Sequence, residues 1–152
     1  MRRVLLLLLA LIPAFALAGL PFEATLEEMA QQADHILIGH VVGVDMVDGR
    51  GKLITDPKAR TGPGLTNTIR LRIQVKEVLA SSSKEVPDVI PVPLASHLHY
   101  SLGQIQEAHA GDKELRLVLL KGPKFVGIKP GVFLRPLSDK DRALQLHAAA
   151  HP

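Results

Sequence analysis

The stretch Thr68-Ile-Arg-Leu-Arg-Ile-Gln-Val-Lys-Glu-Val78 decides the fold class of this chain. Apolar residues occupy positions 69, 71, 73 and 75, and the positions between them hold Arg70, Arg72, Gln74 and Lys76. Successive side chains of a β-strand point to opposite faces of the sheet. The alternation therefore predicts a half-buried antiparallel strand with one apolar face and one cationic face.

A second strand is predicted on the N-terminal side of this stretch, over residues 36–47. The segment is rich in β-branched residues, and Gly39 and Gly43 interrupt it. Glycine inside a strand marks a bulge or a sharp bend, which small barrels need where a strand turns a corner. Between the two strands, Asp48 to Gly64 is rich in Gly, Pro and Asp and is the longest predicted loop.

On the C-terminal side, residues 86–92 are predicted to form an edge strand or an extended stretch. Pro87, Pro91 and Pro93 lack the N–H that a central strand needs for pairing on both sides. Further short strands are predicted near residues 114–120, 125–128 and 132–134, separated by Gly-Pro and Pro-Gly pairs.

Three capping patterns predict helices. Thr25 with Glu28 begins a helix over about residues 25–34, Ser101 begins a short one that reaches Gly111, and Ser138 with Asp141 begins another. The predicted strands and helices together indicate a mainly β chain. We expect a small five- to six-stranded antiparallel barrel, OB-like, with an N-terminal helix and one or two short helices.

The first 18 residues have the pattern of an export signal. Arg2 and Arg3 are followed by an apolar run, by Pro13, and by Ala16-Leu17-Ala18, after which we expect cleavage. The apolar segment is about 15 residues long and contains a proline, short of the roughly 20 that span a bilayer, so no stable membrane anchor is expected. We expect a signal peptide at 1–18, one β-barrel domain at 19–147, a disordered tail at 148–152, and a periplasmic or secreted location.

Composition excludes several function classes. The chain contains no Cys, which removes thiol catalysis, Fe–S clusters and lipidation at a cysteine. Without Arg2 and Arg3, 16 of the 18 basic residues remain against 15 acidic ones, so the mature domain is nearly neutral. With four Phe, one Tyr and no Trp, it has neither the cationic surface nor the stacking side chains that nucleic-acid binding needs.

Several short motifs resemble those of a loose family of short exported bacterial proteins. They are Ala33-Asp34 at a helix end, Ile36 with Gly39 and Val41 in the pattern I-x-x-G-x-V, and Val75-Lys76-Glu77-Val78-Leu79 at the end of a strand. Gly111-Asp112-Lys113-Glu114 before an apolar run fits the family's last element, whereas Ala80-Ser81 stands where the family has Lys-Gly. The resemblance implies a five-stranded barrel of the OB or netrin-module type, and it implies no catalytic motif.

Seven histidines raise a metal hypothesis. His97 and His99 form the best seed because alternate residues of an extended segment face the same side. His109 and Asp112 could complete the site, and imidazole ligands suit Zn or Cu. The alternative is that a His-x-His sequence arises by chance, since the remaining ligands do not stand at a motif spacing.

No catalytic or cofactor-binding residues are predicted. The chain lacks a G-x-S-x-G elbow, a phosphate-binding glycine loop and a dinucleotide fingerprint. His35 and His40 are five residues apart in one strand, so regular geometry sends them to opposite faces.

The sequence therefore favours an exported, non-enzymatic binding or accessory protein with a protein partner in the cell envelope. An inhibitor or immunity-type protein would be one form of it. The loops Asp48 to Gly64 and Ala95 to Gly111 are the expected contact surface. The alternative function is a periplasmic metal-binding protein that uses His97, His99 and His109.

Overall fold

The computed structural model describes residues 20–152, and the predicted signal peptide at residues 1–18 lies outside this part of the chain. In chain order the elements are α1 (Leu26–Gln32), β1 (His35–Val47), β2 (Thr68–Ser81), β3 (Val89–Pro93), α2 (Leu102–Ala108), β4 (Arg116–Lys121), β5 (Val126–Gly127), β6 (Leu134–Pro136), a 3-10 turn (Leu137–Asp139) and α3 (Lys140–Ala150).

The six strands form one antiparallel sheet in the order β3-β2-β1-β4-β5, with β6 also paired to β4. β1 is the central strand. It pairs with β2 along its whole length and with β4 over His35 to Gly39. The mainly β class, the antiparallel pairing and the N-terminal helix are confirmed.

The sheet is open, and the expected closed barrel is not found. Pairing ends at β3 on one edge and at β5 and β6 on the other, and no ladder within residues 20–152 joins these edges. Leu94 N donates a hydrogen bond to Ile69 O, so the backbone N–H and C=O groups of the even-numbered residues of β3 point towards β2. Pro91 and Pro93 therefore lie on the outer edge, where they have no N–H to donate to a further strand.

Buried apolar side chains lie on both faces of the central strands. Ile36 and Leu37 are adjacent in β1, and each is completely buried, in a different cluster. The inner cluster comprises Leu37, Val41, Leu71, Ile73, Ile90, Val92, Val118, Leu120, Phe125 and Phe133. The cluster under the helices α1 and α3 comprises Met29, Ala30, Ala33, Ile36, Leu117, Leu119, Ile128 and Ala143. Burial on both faces explains why β4 is a continuous apolar run in sequence instead of an alternating one.

Two of the three predicted caps are present. Thr25 Oγ1 accepts a hydrogen bond from Glu28 N, and Ser101 and Gln104 form a reciprocal capping box at the start of α2. The cap predicted at Ser138 is wrong, because this residue lies inside the 3-10 turn and α3 begins at Lys140. α3 continues to Ala150 and so includes the first three residues of the predicted tail.

Gly39 provides a test of the central pairing. A Cβ atom at this position would lie 2.5 Å from the carbonyl oxygen of Gln74, whereas a Cβ at Gly43 would meet nothing closer than Arg72 Cδ at 3.7 Å. We expect Gly39→Ala to lower the free energy of unfolding by about 1–3 kcal/mol, the usual effect of overpacking. We expect Gly43→Ala to be neutral or slightly stabilising, since alanine restricts the unfolded chain more than glycine does. Urea unfolding of both variants measures the difference, and equal effects would contradict this account of the glycines.

Candidate functional site

His35, the first residue of β1, is fully buried and connects three parts of the sheet. Its Nε2 lies 3.0 Å from the carbonyl oxygen of Gly122, which follows β4. Its Nδ1 lies 2.8 Å from Ser81 Oγ, at the end of β2. The ring also packs against Phe125, with 4.3 Å between the ring centroids. A single side chain thus holds the ends of β1, β2 and β4 together.

The partners fix the tautomer of the neutral ring. A carbonyl oxygen can only accept, so Nε2 carries the proton and donates it to Gly122. Nδ1 then accepts from the hydroxyl of Ser81, and Ser81 Oγ accepts from Ser83 N at 3.1 Å. In enzymes with a nucleophilic serine, the serine hydroxyl donates a hydrogen bond of this kind to the imidazole that acts as its base.

The surroundings of the pair favour a structural role. In Ser-His enzymes a carboxylate stabilises the imidazolium that forms during reaction, whereas Nε2 of His35 faces a backbone carbonyl. The neighbouring carboxylate, Asp34, accepts a hydrogen bond from Gly122 N at 2.7 Å through its Oδ2. His35 and Ser81 therefore act as a lock between strand ends, which sequence reasoning missed because the two residues are 46 positions apart.

Ser81 also lines a cavity of about 390 Å³ at this end of the β1–β2 hairpin. We call it the α3 cavity, because α3 and the residue after it supply one wall. Its lining residues are Ala33, Asp34, Ala80, Ser81, Ser82, His147 and His151.

His147 and His151 form a pair on this wall. His147 Nδ1 lies 3.1 Å from the carbonyl oxygen of Ala30 in α1, and His151 Nδ1 lies 3.0 Å from that of His147. The two rings stack with their centroids 4.3 Å apart. His147 is the last residue of the predicted domain and His151 lies in the predicted tail, so no pairing of the two was expected. The signal that could have found them is the H-x-x-x-H spacing, which puts both side chains on one helix face.

The first two predicted metal ligands contact different parts of the chain. His97 Nε2 donates to the carbonyl oxygen of Leu20 at 3.2 Å, and its ring packs edge-on against Phe22. It lines a groove of about 540 Å³ between the end of β3 and β5. The ring of His99 instead packs beside Gly62, where an added Cβ would lie 2.8 Å from its Nδ1.

The third predicted ligand, His109, does lie beside Asp112, with its Nδ1 3.2 Å from Asp112 Oδ2. The same oxygen accepts from Arg116 at 2.9 Å. The guanidinium group neutralises the carboxylate and repels a metal cation. His109, Asp112 and His40 line a groove of about 240 Å³, and Nδ1 of His40 is buried there without a hydrogen-bond partner among the described residues.

No group of three or more His, Asp and Glu side chains in residues 20–152 is arranged to hold a metal ion. The metal site of His97, His99 and His109 stays a prediction, and the structure shows no contact that brings these three side chains to one point. Among the same residues, none of the helices is long and apolar enough to span a membrane.

The two predicted contact loops are joined to each other. Thr61, which is buried, donates its hydroxyl to the carbonyl oxygen of Leu98 at 2.7 Å and accepts from Tyr100 N at 3.2 Å. Backbone hydrogen bonds of 2.9 Å add three further links: Thr61 N to Tyr100 O, Leu102 N to Ala59 O, and Gly103 N to Pro57 O. We call the joined loops, residues 48–64 and 95–111 together with Leu65, the loop platform.

The loop platform has an apolar underside and two exposed leucines. Ile54, Ala59 and Tyr100 pack against a small buried cluster at this end of the sheet. Leu53 is 61% exposed, and Leu65, directly after the first loop, is 52% exposed. Leu65 is fixed by a hydrogen bond from its N–H to the carbonyl oxygen of Gly62.

Comparison of the chain with protein-family models, with curated proteins and with solved structures found no match. The resemblance of its short motifs to small exported barrels therefore stays an expectation.

The lock at His35 can be tested by removing one partner. Ser81→Ala leaves Nδ1 of His35 buried without its donor. We expect the free energy of unfolding to fall by about 1–3 kcal/mol, the cost of an unsatisfied buried polar group. Ser82→Ala is the matched control. It removes a hydroxyl from the adjacent serine, and the hydroxyl that bonds His35 is that of Ser81. Equal urea midpoints for the two variants would show that the lock contributes nothing.

The carboxylate of Asp112 predicts a pH dependence of stability. The hydrogen bond from Arg116 lowers its pKa to about 2 from the usual 3.8, with further lowering by Glu114 N and His109. Because the folded-state pKa is depressed, this stability is complete above the unfolded pKa and is lost as the pH falls from about 4 to about 2. We expect Asp112→Asn to be less stable than wild type at neutral pH and to show a smaller loss of stability over this range. Urea unfolding across pH 2–6 measures both, and parallel curves would contradict the assignment.

Proposed function

We propose that this chain is an exported, non-enzymatic binding protein that holds a protein of the cell envelope on its loop platform. An inhibitor or immunity-type protein that blocks another exported protein is one form of this function. The observation that carries the proposal is the set of hydrogen bonds around Thr61, which joins the two longest connections of the chain into one ordered surface.

An ordered surface suits binding for a thermodynamic reason. A loop that is mobile before binding loses conformational entropy when it is fixed, and this loss subtracts from the affinity. The platform is already fixed at Thr61, at the capping box of Ser101 and at the packed Tyr100. Loops held on a rigid sheet are a common place for recognition.

The surface chemistry favours a protein as the partner. Leu53 and Leu65 supply apolar area, and Asp48, Arg50, Lys52 and Lys58 in the same loop mix the two signs of charge. A nucleic acid would require a continuous cationic surface. The cationic face predicted on β2 does not supply one, because Arg70 is held by Asp45 through two bonds of 2.7 and 2.9 Å.

The order of the elements supports an open OB-like arrangement. β1 pairs with both β2 and β4, and α2 lies between β3 and β4 in the chain. OB-type domains are partly open five-stranded barrels, and their β1–β2 loop contributes to the ligand site. The β1–β2 connection of this chain is the longer half of the loop platform.

The export signal at residues 1–18 would bring this domain to the periplasm or outside the cell. We propose the envelope as the site of action for this reason alone. The hydrogen bond of His35 Nε2 to the carbonyl oxygen of Gly122 fits a structural role for this ring.

The proposal is tested by cross-linking in the living cell. A photo-reactive residue is placed at Leu53, at Leu65, or at Val78, which is 47% exposed on β2 outside the platform. We expect the two platform positions to capture the same envelope protein and Val78 not to capture it. Absence of an adduct at both platform positions, or the same adducts at all three positions, would overturn the proposed surface.

Once the partner has been captured, substitutions measure how much each exposed leucine contributes to the affinity. Burial of one leucine side chain contributes about 1.5–3 kcal/mol. Leu53→Asp or Leu65→Asp is therefore expected to weaken binding about tenfold or more, since 1.4 kcal/mol corresponds to one factor of ten. Val78→Asp, the matched control, is expected to leave the affinity unchanged.

A further inference from the structure

We propose that His147 and His151 form a binding site for a divalent transition-metal ion, of which Cu²⁺ is bound most tightly, on the wall of the α3 cavity. This site differs from the one predicted at His97, His99 and His109. It is independent of the proposed protein-binding function, because the loop platform lies at the other end of the β1–β2 hairpin.

The hydrogen bonds of the two rings leave one nitrogen of each ring for a metal. Carbonyl oxygens accept and cannot donate, so Nδ1 of both histidines must carry the proton. In the neutral rings, Nε2 therefore keeps its lone pair. A metal-bound histidine generally donates its other N–H to a carbonyl or carboxylate, which orients the ring and strengthens the ligand. Both rings have this arrangement without a metal.

The two rings are close neighbours. Their centroids lie 4.3 Å apart with an angle of 30° between the ring planes, so the rings are stacked. Metal–nitrogen distances are about 2.0–2.1 Å, and both Nε2 atoms reach one ion when the exposed ring of His151 rotates out of the stack. The spacing i, i+4 on a helix is also that of the two histidines in H-E-x-x-H zinc sites.

The charges around the pair favour a cation. Asp34 lines the same cavity, and no Lys or Arg is among the described residues that line it. The two imidazole nitrogens suit borderline ions, and affinity rises towards Cu²⁺ in the divalent series. By contrast, at His109 the neighbouring carboxylate is already paired with Arg116.

Two protein nitrogens leave the coordination sphere incomplete. The cavity volume of about 390 Å³ leaves room for water or for a small external ligand at the open positions. The site is therefore suited to an exchangeable metal ion and not to a closed structural one.

The experiment is a calorimetric titration of the tag-free exported protein with Cu²⁺, Zn²⁺ and Ni²⁺ at neutral pH. We expect one site per chain, with the affinity for Cu²⁺ highest. We expect His151→Ala to weaken binding about tenfold or more, since even outer-shell changes at metal sites cost about 10–100-fold. No binding at all would overturn the proposal, and so would loss of binding in His97→Ala/His99→Ala or in His109→Ala.

A spacing control separates this site from a general affinity of histidine for metal ions. The double variant Ala149→His/His151→Ala keeps seven histidines but moves the second one to i+2, which faces away from His147 on a helix. We expect this variant to lose the site, and retained binding would overturn the proposal. Because His151 is exposed and follows the last residue of α3, the fold should survive both changes, and circular dichroism checks this.

A second readout does not depend on variants. Zinc is diamagnetic, so the imidazole nitrogen signals of all seven histidines can be followed by NMR during a Zn²⁺ titration. We expect the Nε2 signals of His147 and His151 to shift together. Shifts confined to His97, His99 or His109 would place the metal at the site predicted from sequence and overturn this one.

Discussion

The pairing of β1 with its two neighbours is the constraint on which the rest of the structure depends. β1 pairs with β2 along its whole length, and its first residues, His35 to Gly39, also pair with β4. Its register against β2 shifts three times, and one shift brings Gly39 so close to Gln74 that a side chain would not fit. Bulges of this kind bend and twist a strand. The bends allow one hairpin to enclose the inner core on one face and to support α1 and α3 on the other.

The same hairpin separates the two candidate sites. At its open end, His35 and Ser81 hold the strand ends together, and Ser81 also lines the α3 cavity, to which α3 supplies one wall. At its tip, residues 48–64 leave β1 and fold against the residues before and within α2. Since paired strands lie between the two ends, a ligand at one end need not disturb the other. The proposed protein-binding surface and the proposed metal-binding pair are therefore independent of each other.

Charge pairing across strands changes what the sequence implies about the surface. The alternation in β2 predicts a cationic face, but Asp45 lies opposite Arg70 in the register of β1 and β2 and neutralises it. Arg116 is paired with Asp112 in the same manner, although these two residues are close in sequence. Arg72 lies 3.8 Å from the carboxylate of Asp45 and keeps half of its side chain exposed, so the predicted cationic face is reduced and not removed.

Local pattern determined the strand at Thr68, the caps at Thr25 and Ser101, and the edge position of β3, because each depends on residues within a few positions of one another. Tertiary structure alone decided that the sheet stays open and which histidines meet. His35 reaches Ser81 across 46 residues and Gly122 across 87, and no periodicity in the sequence encodes such distances. His147 and His151 have a readable spacing, yet their place beside α1 depends on tertiary packing, which brings His147 Nδ1 to the carbonyl oxygen of Ala30. Residues within a few positions of one another determine a strand or a helix cap. The contacts of a site join residues far apart in sequence, and these meet only in the strand register that the whole core imposes.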